Sequence, residues 1–252
     1  MPGHLRPVGR VRRWLRAAAV VPFVLVVCGT ALAGRRLRRP PTRALRFGFR
    51  AILRALGIRL EIHGAPERHQ GGTLLVANHI SWLDLIALGA LAAPRVIAKA
   101  ELLDSRVMAV LTGSLRCIHL DRNRPRALPP AVAGTTAALR DGATVALFPE
   151  ATTWCGATGG PYRPAFFQSA LDAGAVVRPV VLRYRTADHT PATDVAYVGT
   201  PLRTSVHRVL SARALTVELH LLPPLHPQPG DNRRTLAARA QRAADTVRGT
   251  HS

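Results

Sequence analysis

Two periodicities alternate along the chain. Residues 58–64 (Ile-Arg-Leu-Glu-Ile-His-Gly) switch between apolar and polar with period two, as a half-buried strand does. Gly71-Gly72 makes a turn, Thr73 to Ala77 is a short apolar strand, and Ser81 to Leu91 reads as a helix. The unit then repeats. Strands are predicted over 95–98, 117–120, 143–148 and 176–184, and late strands over 194–198 and 215–222. Helices are predicted over 102–111, 127–140 (stopped by Asp141-Gly142) and 166–173. Strands alternating with helices of this length indicate an α/β domain over 44–225, with a mixed, largely parallel sheet flanked by helices. No internal repeat is visible. Residues 226–252 follow as a Pro-rich turn and a basic C-terminal helix over 231–248.

The pattern before the domain is different. Residues 17–34 carry no charge, and as a helix they would reach roughly 27 Å, just short of a ~30 Å hydrocarbon core. Arginines flank this run on both sides, from Arg6 to Arg16 and from Arg35 to Arg39, so charge sets no orientation. A shallow or re-entrant anchor at an anionic leaflet fits as well as a span. Ala31-Leu32-Ala33 also meets the pattern of a cleaved signal peptide. Residues 43–56 favour attachment. Leu45, Phe49, Ile52, Leu53 and Leu56 share one helical face, with Arg43, Arg46, Arg50 and Arg54 opposite. That helix suits a lipid interface or the flank of the body. Residues 1–43 are thus a basic arm with an N-terminal membrane-associated helical segment, expected at the cytoplasmic face of the cell membrane.

Charge raises a rival reading. The chain has 35 Lys and Arg against 14 Asp and Glu, a net +21, which invites a nucleic-acid partner. Residues 1–60, however, hold 14 arginines and no acid, while residues 61–225 are nearly balanced at 16 basic against 12 acidic. The excess lies in the arm, where the run 17–34 would stand exposed on a soluble DNA-binding protein. No nucleic acid is therefore expected. The cysteines, Cys28, Cys117 and Cys155, have neither disulfide-framework nor metal-type spacing, and no metal is expected. No Gly-rich phosphate loop follows the early strands, and no GxSxG elbow occurs.

Three places can do chemistry. His79 sits between an apolar strand and a helix, with Asp84 five residues on. A histidine suits removal of a hydroxyl proton at neutral pH, and a carboxylate on its far nitrogen would fix the tautomer. Ser81-Trp82-Leu83-Asp84 also reads as a capping box, with Ser81 as N-cap and Asp84 purely structural. Glu150, in Phe148-Pro149-Glu150-Ala151-Thr152-Thr153, follows a buried strand, where open α/β sheets place ligands. A solvated loop acid is the plainer reading. Arg122, at the end of the stretch from Gly113, offers a guanidinium for a phosphate, or is one more surface arginine.

In this order the motifs resemble the lysophospholipid acyltransferase family, which includes the 1-acylglycerol-3-phosphate acyltransferases. The resemblance rests on Asn78-His79-x-Ser81-Trp82-Leu83-Asp84, then Gly113 to Arg122, Phe148-Pro149-Glu150 and Val177-x-Pro179-Val180, over about residues 45–225. It implies that His79 is the general base and Asp84 orients it. Arg122 and the loop with Glu150 and Thr152 would contact the acceptor's phosphate and glycerol, and Pro179 would be structural or near the acyl chain. The donor would be acyl-CoA or acyl carrier protein, with membrane lipids as partners and no cofactor. The third motif departs from the family. Ala151 stands where glycine is usual, although alanine takes a positive φ less cheaply. Thr153 stands where many members carry arginine, and Arg163 is placed to compensate. The implied reaction is acyl transfer to a lysophospholipid hydroxyl in phospholipid biosynthesis. The alternatives are a lyso-aminolipid acceptor, or a catalytically silent lipid-binding relative.

Overall fold

Leu74 and Val76 point to one side of their strand, Leu75 and Ala77 to the other, and all four are buried. Such a strand needs a helical layer on each face. The computed structural model supplies both layers. It describes residues 7–36, 41–65, 71–104, 109, 112–113, 115–121, 123–156, 158–199 and 201–248. Among these the strands are β1 (Arg59–His63), β2 (Thr73–Ala77), β3 (Arg95–Lys99), β4 (Ile118–Leu120), β5 (Thr144–Leu147), β6 (Val176–Arg185) and β7 (Thr216–Leu221). They form one sheet in the order β1-β7-β6-β2-β5-β3-β4. Only β6 and β7 pair antiparallel.

The helices are α1 (Arg10–Arg36), α2 (Thr42–Ala55), α3 (Leu83–Ala92), α4 (Leu128–Arg140), α5 (Phe167–Ala173), α6 (Leu202–Ser211) and α7 (Arg233–Arg248). Leu75 and Ala77 join a core built with α2, α3 and α6. Leu74 and Val76 join a second core built with α4, α5 and α7. The mixed, largely parallel α/β sheet read from the sequence is the observed fold.

Two elements differ from the sequence reading. Residues 194–198 are not a strand. Thr193–Val195 form a 3₁₀ turn, and α6, which the sequence pattern does not announce, follows. Only Ser205, Val209 and Ser211 of α6 are buried, so its apolar stripe is too thin to read. The helix expected over 102–111 is described only in part: Ala100–Asp104 is 3₁₀, and most of the remainder lies outside the described residues.

The interfacial reading of residues 43–56 yields to the packing one. Leu45, Ile52, Leu53 and Leu56 are buried in the core, and Arg50 donates to the Ala90 carbonyl at 3.2 Å. The lipid-type surface belongs to α1 instead, where Trp14, Leu15, Val21 and Leu25 are exposed. Both ends of α1 are tied to the body. Arg16 is buried and donates to the carbonyls of Leu210 (3.0 Å) and Ala212 (2.7 Å), and Arg116 donates to that of Gly34 at 2.9 Å. Between them Val27 packs so closely on α2 that a Cβ on Gly48 would lie 2.5 Å from its Cγ2.

Gly48→Leu is expected to lower stability by about 1–3 kcal/mol through overpacking. Gly134→Ala, in the open on α4, is expected to raise it by about 0.5–1 kcal/mol. Thermal unfolding in detergent checks both.

Candidate active site

The site begins where β2 runs out. The last β2–β6 pair is Ala77 with Val180. Asn78 continues the pairing with its side chain: its amide donates to the Leu182 carbonyl at 3.0 Å and accepts the Leu182 N–H at 2.7 Å. The chain then turns through His79, Ile80 and Ser81 into α3.

Asp84 organises this turn. It is fully buried. Its Oδ2 accepts His79 Nδ1 at 2.7 Å, the Ile80 N–H at 2.6 Å and the Ser81 N–H at 2.9 Å. Its Oδ1 accepts the Tyr184 hydroxyl. An ionised carboxylate only accepts, so Nδ1 carries a proton, and in the neutral ring Nε2 keeps its lone pair. Among the described residues Nε2 has no hydrogen-bond partner, and the His79 side chain is 22% exposed. Burial first, and then the Asp84 charge, pushes the Tyr184 hydroxyl well above its ordinary pKa, so it stays a donor. Sequence reasoning missed Tyr184. The available signal was strand alternation, which puts it on the Val180 and Leu182 face, where a buried hydroxyl needs a partner.

The capping-box reading holds in part. The helix starts at Leu83 with Trp82 as N-cap, and Ser81 Oγ receives only a long 3.5 Å bond from the Leu83 N–H. The returning bond, from the Ser81 N–H to Asp84, is present. One carboxylate therefore both ties down the helix entry and holds the imidazole.

The rest of the turn's backbone is fixed from other loops. The His79 carbonyl accepts the Trp154 N–H at 2.8 Å, and the Ile80 carbonyl accepts the Tyr197 N–H at 2.9 Å. The His79 N–H donates to Glu150 Oε2 at 3.1 Å. Glu150 is thus not a solvated loop acid. It is buried, and its Oε1 accepts Arg248 at 2.8 Å. Burial pushes its carboxyl pKa up, while Arg248 and the N–H groups of His79 and Gly160 pull it back.

The other anticipated residues are scattered around this centre. Pro149 is buried and accepts the Arg163 N–H at 2.9 Å. Thr152 is exposed, while the Thr153 hydroxyl donates to the Tyr197 carbonyl at 2.5 Å. Pro179 lies inside β6 opposite Val76, and its carbonyl accepts the Leu222 N–H at 3.0 Å. Gly113 accepts the Arg116 N–H in the turn leading to β4. Arg122 lies outside the described residues. Ala151 adopts φ +59°, the left-handed conformation that favours glycine.

Phe148 stacks on His79 with centroids 4.1 Å apart and planes at 20°. The same ring lines a cavity of about 380 Å³ walled by Ile97, Leu120, Leu128 and Phe166, with Asp121, Arg124 and Arg163 also lining it. An apolar hollow lined by basic groups therefore begins beside the imidazole. Away from it, on the β1–β7 face, His63, Glu218 and His220 bring ligand-type atoms within 4.8 Å of one another. Strand register, not sequence spacing, assembles them. Glu218 there already takes Arg185 at 3.6 Å and His220 at 3.1 Å.

Residues 59–183 match the family model described as Acyltransferase. A 1-acyl-sn-glycerol-3-phosphate acyltransferase of Neisseria meningitidis is 37% identical over 172 residues, covering 68% of this chain and 67% of that protein. A lyso-ornithine lipid O-acyltransferase of Pseudomonas aeruginosa is 29% identical over 93% of this chain and 92% of its own. The crystal structure of the 1-acyl-sn-glycerophosphate acyltransferase PlsC from Thermotoga maritima shares the fold, with TM-score 0.69, 17% identity, and coverage of 95% and 96%.

Ala151→Gly is expected to raise stability by up to about 1 kcal/mol, because relief of the left-handed strain outweighs the added freedom of the unfolded chain. The urea midpoint checks it.

Proposed function

Since the chain belongs to the lysophospholipid acyltransferase family, and is thereby an acyltransferase, we propose that it moves a fatty acyl group from acyl-CoA or acyl carrier protein to the hydroxyl of a lysophospholipid such as 1-acylglycerol-3-phosphate. The observation that carries this reading is the His79–Asp84 bond, which leaves Nε2 as a free base at the sheet's carboxyl edge. As the acceptor oxygen attacks the thioester carbonyl, its proton passes to Nε2. Asp84 stabilises the imidazolium that forms. When the tetrahedral intermediate collapses, the carbon–sulfur bond breaks, the departing sulfur takes the proton from Nε2, and the ester remains. A positioned base of this kind contributes about 10²–10⁴ in rate.

The cavity beside Phe148 supports the substrate class. Its apolar walls suit an acyl chain, and Arg163, with Arg124 beside it paired to Asp121 at 3.3 Å, suits an anionic group. The exposed apolar outer face of α1 supports attachment to the membrane. A helix bonded to the body at both ends suits burial in one leaflet rather than a crossing, and its arginines suit an anionic cytoplasmic surface.

A lyso-aminolipid acceptor is the second reading. Two observations favour it: Ala151 and Thr153 replace the usual residues of the third motif, and the lyso-ornithine lipid relative from Pseudomonas aeruginosa aligns over nearly the whole chain.

The test offers labelled acyl-CoA and acyl carrier protein with each acceptor, in membranes. Wild type is expected to label one lysolipid. His79→Ala is expected to lose at least about 10²-fold in turnover while staying folded. Undiminished turnover in that variant would refute the mechanism, and labelling confined to lyso-ornithine lipid would select the second acceptor.

A further inference from the structure

The C-terminal helix reaches the catalytic turn through a buried ion pair. Leu236, Ala237, Ala240 and Ala244 seat α7 on the sheet, which brings Arg248, at its last turn, to Glu150. The Glu150 side chain is fully buried, and that of Arg248 is 13% exposed. The guanidinium also lies 5.9 Å from the centre of the Tyr162 ring. Gln241, two turns earlier on the same helical face, accepts the Tyr162 N–H at 3.0 Å, so the loop and the helix are joined twice. Gly159 leaves room for the pair: a Cβ there would stand 2.1 Å from Arg248 Nη1 and 2.6 Å from Glu150 Oε1. The other oxygen of the same carboxylate takes the His79 N–H. Arg248 lies outside residues 59–183, the segment that matches the family model.

We propose that Arg248 is a positioning residue for acyl transfer: by pairing with Glu150 it holds the backbone of His79, and with it the imidazole, in the place where Nε2 meets the acceptor hydroxyl. The role rests on the acyl-transfer reading of His79. Its chemistry is that of a buried charge. A carboxylate removed from water must be fully hydrogen-bonded or paired with a cation, and Oε1 of Glu150 has the Arg248 guanidinium as that partner. Without Arg248, the ionised Glu150 would draw water or swing out, and the His79 N–H would lose its acceptor. The charged and titratable groups facing Glu150 are Arg248 and Asp245 from α7, Tyr162 from the loop and His79 from the turn.

Arg248→Met, Arg248→Lys, Glu150→Gln and the double variant Arg248→Met/Glu150→Gln test this. Arg248→Met is expected to lower kcat at least about tenfold, with the donor KM little changed, since it displaces the base without touching a binding group. Arg248→Lys should recover part of the loss. Its Met counterpart should lose activity further as pH rises and Glu150 ionises without a partner, which wild type should not. The double variant, which buries no charge and keeps an amide oxygen for the His79 N–H, should return to within about threefold of Glu150→Gln alone and lack that pH dependence. Amide hydrogen exchange at His79 reads the same link without any substrate: faster in Arg248→Met, protected in wild type and in the double variant. Unchanged kcat and unchanged His79 exchange in Arg248→Met would overturn the proposal, as would a folded double variant no more active than Arg248→Met. Should wild type acylate no lysolipid, the acyl-transfer reading fails, and the exchange data still decide whether Arg248 holds His79.

Discussion

A carboxylate with no access to water must have its lone pairs occupied, and the Asp84 carboxylate is the point on which this molecule converges. Its donors come from the loop after β2, from the entry to α3 and from the end of β6. These pieces adjoin only when β2 and β6 are paired and α3 lies across them. The charge thus makes the arrangement of the sheet and the tautomer of His79 one condition. It also explains the pairing of Asn78 with Leu182, which keeps β2 and β6 in register for one residue beyond the ladder. The opposite side of the turn is held by Glu150, a second buried acid. His79 therefore sits between two carboxylates, one on its ring and one on its backbone.

Much of this was legible in the sequence. The strand over 73–77 was read to the residue, because Thr73 and four apolar positions bounded by a Gly-Gly turn and a polar motif admit little else. His79 with Asp84 was legible as a pair, and the two readings of Asp84, helix support and histidine partner, turn out to describe bonds of the same oxygen. Tyr184 and Arg248 were hidden because their partners lie far away in the chain. Spacing arguments see neighbours along a helix or strand, and neither residue carries a local signature. Glu150 was read as displayed because the ends of parallel strands usually face ligands. Its burial depends on α7 packing over it: the helix over 231–248 was legible, but the place where it packs was not. The false strand at 194–198 and the unnoticed α6 have one cause: short segments with few buried positions leave periodicity nothing to detect.

The N-terminal helices show what hydrophobicity alone cannot separate. An apolar face is equally satisfied by lipid or by a protein core, and α1 and α2 differ in how much of theirs the body covers. The apolar side of α2 is spent on the core, while α1, laid over it, keeps an apolar outer face together with buried Val27 and Ala31. The buried Arg16, capping carbonyls at the end of α6, fastens one end of this layer.

The sheet order carries a consequence for fragments of the chain. β1 pairs with β7, so the first and last strands of the domain are laid edge to edge, and β2, which bears the histidine, lies between β5 and β6. A piece of the chain that stops before residue 176 contains both His79 and Asp84 yet lacks the strand that staples Asn78 and the hydroxyl that completes the carboxylate's shell. Splitting the protein there would leave the motif whole and the Asp84 hydrogen-bond set incomplete. The geometry around His79 belongs to the closed sheet and cannot be recovered from the segment that carries the signature.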